Sequence, residues 1–312
     1  MVQQVFVFPG QGSQSVGMGK ALAEAFPTAR EVFGEVDEAL GQHLTRLMFE
    51  GPEDQLTLTE NAQPALMAVS MAVMRVLAKD GNFDLGAKAA YVAGHSLGEY
   101  SALAAAGAFS LADAARLLRL RGRSMQEATP VGIGAMAAIL ALDYEAVAAI
   151  AAEAAGDEVC AAANDNAPGQ VVVSGHKAAV ERAMALATEK GARRAVLLPV
   201  SAPFHCALMA PAAEVMAAAL AEARIQAPVV PLVANVKAAA VSDPDEIRDL
   251  LVRQVTGTVR WRESVQWMKA QGVERLVEAG AGKVLAGLTK RIDGDLTALS
   301  LNTPADIEAF LK

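Results

Sequence analysis

Cysteine is nearly absent. Cys160 and Cys206 are the only two in 312 residues, too few for a disulfide framework or a thiolate metal cluster. Positive charge is in the minority, with 27 Lys and Arg against 35 Asp and Glu. The formal net charge of −8 argues against nucleic acid or an anionic membrane as the main partner. No uninterrupted apolar stretch reaches the ~20 residues that a membrane-spanning helix needs, residues 132–142 coming nearest. No basic segment precedes the first apolar run, Val5 to Phe8, which is only a strand's length. A soluble cytoplasmic protein is therefore expected. Phosphate-binding signatures are missing as well. The loop Pro9-Gly10-Gln11-Gly12-Ser13-Gln14 contains neither G-x-G-x-x-G nor Gly-Lys-Ser/Thr, and reads as backbone that approaches something closely. Aromatic residues make up 4% of the chain, whereas hydrophobic residues, many of them alanine, make up 53%. Such a composition suits helices packed on a sheet, and the length allows one large domain or two.

Against this background one stretch stands out, Gly94-His95-Ser96-Leu97-Gly98-Glu99. The apolar run Ala90 to Ala93 before it predicts a buried strand, and the Ala- and Leu-rich segment 97–106 after it predicts a helix. G-x-S-x-G between a strand and a helix is the pattern of a nucleophile elbow. The turn is so tight that Cβ atoms two positions either side of the serine would collide. The serine itself is lifted clear at a helix N-terminus, where free N–H groups favour a developing negative charge.

Elsewhere the pattern alternates. Helices are predicted over 19–26, 28–40, 61–79 (capped by Asn61, with Pro64 in its first turn) and 111–126. Residues 135–198 read as strand, helix, two strands joined by the loop 164–169, helix and strand, the βαββαβ order of a ferredoxin-like unit. We take residues 132–198 as a small domain inserted into a large one formed by 1–131 and 199–312. The large part, with strands alternating with helices, implies a mostly parallel sheet covered on both faces.

A serine nucleophile needs a base, and there are four histidines. His95 adjoins Ser96, where side chains on a tight elbow diverge. His43 and His176 lie in polar stretches and read as surface residues. His205, in Pro203-Phe204-His205-Cys206, falls in a loop where the chain re-enters the large domain, and is favoured over a purely structural histidine. Cys206 lacks an elbow and reads as a buried, inert thiol. In the helix 111–126 the apolar stripe Ala114, Leu117, Leu118, Met125 contains one cation, Arg121, whereas Arg116, Arg119 and Arg123 fall on the opposite face. A buried arginine must meet an anion: either an internal Asp or Glu, or a substrate carboxylate held bidentately.

With Phe8-Pro9-Gly10-Gln11-Gly12, the elbow, Leu120-Arg121-Gly122, the segment Asn164 to Gly175 and Pro203-Phe204-His205-Cys206 in this order, the chain resembles the malonyl-CoA:acyl-carrier-protein transacylases over essentially its whole length. The resemblance implies an α/β-hydrolase-like core with an inserted ferredoxin-like subdomain. It implies Ser96 as the nucleophile that becomes malonylated, His205 as base, and Arg121 as partner of the malonyl carboxylate. It further implies Gln11 and the Leu97 amide as oxyanion hole, and Gln254 as the residue whose main-chain carbonyl orients the histidine. Malonyl-CoA is then the substrate, an acyl carrier protein bearing phosphopantetheine the partner, and no cofactor, metal, nucleic acid or membrane is expected; the protein is expected to act as a monomer. Phe204 stands where some members have a small residue, a bulk that suits malonyl better than methylmalonyl. A serine esterase or thioesterase would share Ser96 and His205 but have no use for Arg121. A non-catalytic carrier-binding scaffold would need neither. Lys177, Lys190, Arg193 and Arg194 are the densest basic candidates for meeting an acidic carrier.

Overall fold

The structure, a computed structural model, describes residues 2–200 and 202–312. Its strands are β1 (Gln4–Phe8), β2 (Tyr91–Gly94), β3 (Gly134–Leu140), β4 (Cys160–Ala167), β5 (Gln170–His176), β6 (Arg194–Leu197), β7 (Leu232–Ala234), β8 (Ala239–Val241), β9 (Arg275–Ala279) and β10 (Thr297–Leu301). They form two sheets. Six strands run in the order β10-β9-β1-β2-β7-β8, all neighbours parallel except the β7–β8 pair. The other four, β4-β5-β3-β6, are antiparallel and carry the ferredoxin-like βαββαβ connectivity, with the helices Tyr144–Ala155 and Lys177–Glu189 packed on one face.

Strand β1 shows why the large sheet is a two-faced layer. Its side chains alternate by the period of two that a strand imposes. Phe6 and Phe8 join the large helical core, while Val5 and Val7 join a second cluster around Trp261, Val265 and Met268. Both faces are dry, so the strand reads as an unbroken apolar run. The helix Leu111–Glu127 starts at Ser110, whose hydroxyl accepts from the Asp113 N–H at 3.0 Å, and its buried stripe includes Ala114, Leu117, Leu118, Arg121 and Met125 as the periodicity predicts.

Three sequence expectations shift. The helix predicted from Asn61 begins at Thr59, directly after the short helix Glu53–Thr57, so Pro64 lies inside it rather than in its first turn. Asn61 does not cap: its amide donates to Gln55 O at 2.8 Å, and its Oδ1 accepts from Arg119 at 2.9 Å. The segment expected as the loop 164–169 is strand up to Ala167, with only Pro168 and Gly169 turning. Asn164 pairs with Val172 on one side and bridges to Val259 on the other, so partners distant in sequence hold a polar stretch extended. The short helices Leu44–Glu50, Glu53–Thr57 and Leu85–Lys88, the terminal helix Pro304–Leu311 and strand β8 were not expected, the shortest of them lacking enough residues to display a period.

The four-stranded sheet is fastened through β4 to the segment that leads into the helix Trp261–Ala270. Val259 donates to Ala163 O and Asp165 donates to Val259 O, both at 2.9 Å, and Thr258 Oγ1 donates to Ala162 O at 2.8 Å. The buried Asp165 carboxylate takes an ion pair from Arg262 at 2.8 Å.

Candidate active site

The elbow sits at the carboxyl end of β2, beside the carboxyl end of β1, where open parallel sheets place their sites. Its geometry requires its glycines. A Cβ on Gly94 would lie 1.9 Å from the Gly98 carbonyl group, and one on Gly98 would lie 2.2 Å from Phe8 O. Ser96 between them has φ 53°, a strained left-handed conformation for a non-glycine residue, and His205 repeats it with φ 58°.

Ser96 Oγ lies 2.8 Å from His205 Nε2. The other ring nitrogen, Nδ1, lies 2.9 Å from the main-chain carbonyl of Gln254. A carbonyl only accepts, so Nδ1 carries the proton and Nε2 turns a lone pair towards the serine. Burial first, and the positive charge of Arg121 second, push the imidazole down to about 3, so it is neutral. Among the described residues no carboxylate is hydrogen-bonded to it.

Arg121 is 1% exposed and reaches the same serine: Nη2 donates to Ser96 Oγ at 3.2 Å and to Gln254 Oε1 at 2.8 Å, and Nη1 donates to Gln63 Oε1 at 2.8 Å. Its guanidinium lies over the Tyr100 ring at 5.8 Å. Among the described residues it forms no direct ion pair, and the nearest buried carboxyl, Glu99, is linked to it only through the Gln254 amide. A buried cation held by neutral oxygens beside a serine hydroxyl is a site short of one anion.

The turn is braced from behind by residues that sequence reasoning missed. Asn235, just after β7, accepts the Ser96 N–H at 2.8 Å and donates to Gly94 O at 2.7 Å. Gln254 contributes its side chain as well as its carbonyl, Nε2 donating to Ser96 O at 2.9 Å and to Glu99 Oε2 at 2.7 Å. Gln63 lies on the buried helix Thr59–Lys79. Asn235 and Glu99 are both fully buried, a rarity for these side chains that becomes visible only once the fold is known.

The remaining candidates fall close by. The Leu97 N–H, ahead of the helix Gly98–Ala105, meets no backbone acceptor among the described residues. Gln11 follows Gly10, whose Cβ position is 2.8 Å from His95 O, so the loop after β1 lies directly against the elbow. Gln11 Nε2 donates to Thr59 Oγ1 at 3.3 Å. His95 turns away from the serine: Nε2 meets Asn166 Oδ1 at 2.8 Å, and the ring packs on Trp261. Cys206 is buried with Sγ against Pro203 O, and burial pushes its thiol up. The arrangement brings together the groups that acyl transfer calls for: a serine hydroxyl, a neutral imidazole beside it, a buried cation, and main-chain N–H groups at a helix start.

Comparison with known proteins gives a consistent answer. A family model described as the acyl transferase domain matches residues 5–291. A protein of Escherichia coli (strain K12) named malonyl CoA-acyl carrier protein transacylase is 51% identical over 312 residues, all of this chain and all of that one. The crystal structure of an acyl-carrier-protein-S-malonyltransferase from Bartonella henselae superposes with a TM-score of 0.97 at 57% identity, covering 99% of this chain and 98% of that one. A type II PKS acyl-carrier protein in complex with its malonyl-transacylase matches with a TM-score of 0.96 at 45% identity, over 99% of each chain.

Proposed function

The chain belongs to the malonyl-CoA:acyl-carrier-protein transacylase family, and from that membership and the geometry above we propose how it moves malonyl from malonyl-CoA to the phosphopantetheine thiol of an acyl carrier protein. The reaction is ping-pong, and the family serves fatty acid or polyketide synthesis. Ser96 Oγ attacks the thioester carbonyl carbon while His205 Nε2 takes its proton, and the tetrahedral oxyanion lies against the N–H groups of Leu97 and Gln11. The carbon–sulfur bond breaks, and coenzyme A leaves with the proton from His205. The carrier thiol then gives its proton to His205 and attacks the malonyl-Ser96 ester, and Ser96 regains its hydrogen.

Arg121 gives the reading its substrate. The malonyl carboxylate supplies the anion that the buried guanidinium lacks, and it pairs with both Nη atoms. The pairing also relieves one of the causes that hold His205 down, the charge of Arg121, so the base strengthens when a carboxylate-bearing acyl group is in place. Gln254 keeps His205 in the required tautomer through its carbonyl, a Ser–His dyad with no third carboxylate. In this reading the large domain comprises 1–131 and 199–312, the small one 132–198, no cofactor is bound, and the protein works in the cytoplasm. Among the described residues no helix is long and apolar enough to cross a membrane.

The observation that carries the proposal is the convergence of His205 Nε2 and Arg121 Nη2 on one serine oxygen, at 2.8 and 3.2 Å. The test is intact-mass measurement after incubation with malonyl-CoA and then with carrier protein. A malonyl adduct should form, vanish on adding the carrier, and be absent in Ser96→Ala. An adduct that persists in Ser96→Ala would move the nucleophile elsewhere, and one discharged to water as fast as to the carrier would make the protein a thioesterase.

A further inference from the structure

Glu99 is fully buried three positions after Ser96, and no step of the reaction uses it. Its two oxygens are treated unequally. Oε2 accepts from Gln254 Nε2 at 2.7 Å and from the Asn235 N–H at 3.3 Å. Oε1, equally buried, has no partner among the described residues. An ionised oxygen without a donor is costly in such a place, and a proton on Oε1 relieves that cost without disturbing either bond at Oε2. On the far side of the same Gln254 side chain, Oε1 of the amide accepts from Arg121 Nη2 at 2.8 Å. A single amide thus separates a buried carboxyl from the buried cation of the site.

The other titratable groups around Glu99 are silent. Burial raises Tyr100 on its own helix and lowers His95 on the elbow and His205 on the loop, so all three are neutral. The groups contributed after β7 and by the helix Pro244–Thr256 are the amides of Asn235 and Gln254, and β1 brings apolar side chains. Glu99 and Arg121 are the groups of this region, among those described, that can carry opposite charges, and they influence each other across Gln254.

We propose that Glu99 is a specificity-determining residue: it is the internal anion with which the substrate carboxylate competes for Arg121, and it takes up a proton when that carboxylate binds. The inference rests on the reading of Arg121 as the carboxylate's partner. With substrate bound, one buried cation faces two buried anions, and a solvent proton on Glu99 Oε1 restores neutrality. The carboxyl is poised for this: burial pushes it up to about 7, with Arg121 among the influences that hold it down. Below that value Glu99 is already protonated and malonyl binding needs no proton. Above it, binding takes one up, and affinity falls by about tenfold per pH unit for a single linked proton. An acetyl group brings no second anion and feels no such linkage.

The test uses Ser96→Ala protein, which binds acyl-CoA without being acylated. Titration calorimetry at pH 8 in two buffers of different ionisation heat should show up to one more proton taken up with malonyl-CoA than with acetyl-CoA, the latter cancelling any titration of the coenzyme itself. Between pH 7 and 9 the malonyl-to-acetyl affinity ratio should fall, and adding Glu99→Gln should flatten that fall and raise the ratio at pH 8 by about tenfold. Equal proton uptake for the two ligands, or an unchanged slope in Glu99→Gln, overturns the proposal; the two-buffer comparison stands even if the double variant fails to fold. If Arg121→Ala leaves the malonyl-to-acetyl ratio of otherwise native enzyme unchanged, the fault lies in the reading of Arg121 instead.

Discussion

Replacing Arg121 by alanine separates the roles of the buried cation. The side chain is 1% exposed and gives three hydrogen bonds, to Gln63, Gln254 and Ser96. Its removal strands Gln63 Oε1 and loosens Gln254, and both effects fall equally on every acyl group. What it removes from malonyl alone is the partner of the carboxylate. Losing one side of a desolvated, hydrogen-bonded charge pair costs about 2–5 kcal/mol, because the other charge is left buried and unpaired. That corresponds to a loss of roughly 30-fold to several thousand-fold in kcat/KM for malonyl-CoA beyond the loss for acetyl-CoA. The assay is acylation of Ser96 by each thioester under single-turnover conditions, read as the malonyl-to-acetyl ratio. Arg121→Ala should narrow or invert that ratio, and Arg121→Lys should restore it only in part, since an ammonium cannot reproduce the two-pronged contact with a carboxylate. Equal losses for both thioesters would refute the reasoning and leave Arg121 as a brace for Gln63 and Gln254.

Three further outcomes are expected. Asn235→Ala leaves the Ser96 N–H and Gly94 O without their 2.8 and 2.7 Å partners, at about 1–3 kcal/mol for each buried group. It should lower the melting temperature and slow malonyl and acetyl transfer alike; a shifted ratio would place it in acyl selection instead. His205 has a folded value of about 3 against 6.5 unfolded, so its contribution to stability is whole above pH 6.5 and drains away as pH falls towards 3. Chemical denaturation of wild type and His205→Gln between pH 7 and 4 should show a steeper loss in wild type, and parallel curves would contradict the depressed value. Lys177, Arg193 and Arg194 are exposed and take part in no ion pair among the described residues, whereas Lys190 is engaged by Glu153. Reversing the charges of Arg193 and Arg194 should raise the KM for an acidic carrier and weaken its salt dependence, leaving acylation by malonyl-CoA unchanged; an unaltered KM would locate docking elsewhere.

What could be read from sequence follows how local each signal is. The elbow is legible because its pattern lies within five residues and the Gly94 clash with Gly98 is local, whereas Gly98 is also needed for the close approach of Phe8, which the sequence does not display. Arg121 is legible because a 3.6-residue period places it on a face otherwise apolar. His205 needed elimination among four histidines, and the roles of Gln254, Gln11 and Leu97 came from family resemblance. Asn235, 139 positions from Ser96, offered nothing local, because its hydrogen bonds exist only once β7 lies beside β2. The strand at Asn164 to Ala167 was hidden for the same reason: asparagine and aspartate favour turns unless a distant partner, here Val259, holds them extended.

That seam between Val259 and β4 also determines how a carrier can reach the nucleophile. Main-chain bonds on both sides of Val259 and the buried Asp165–Arg262 pair rivet the antiparallel sheet to the segment around Val259, and Ala167 at the end of β4 is packed into the core around Trp261. Two bodies tied at Val259 by main-chain bonds on both of its sides cannot part there without breaking them. In the reaction proposed above, delivery therefore falls to the visitor: the carrier brings its thiol on a slender arm to Ser96, and the two half-reactions use the same socket in turn.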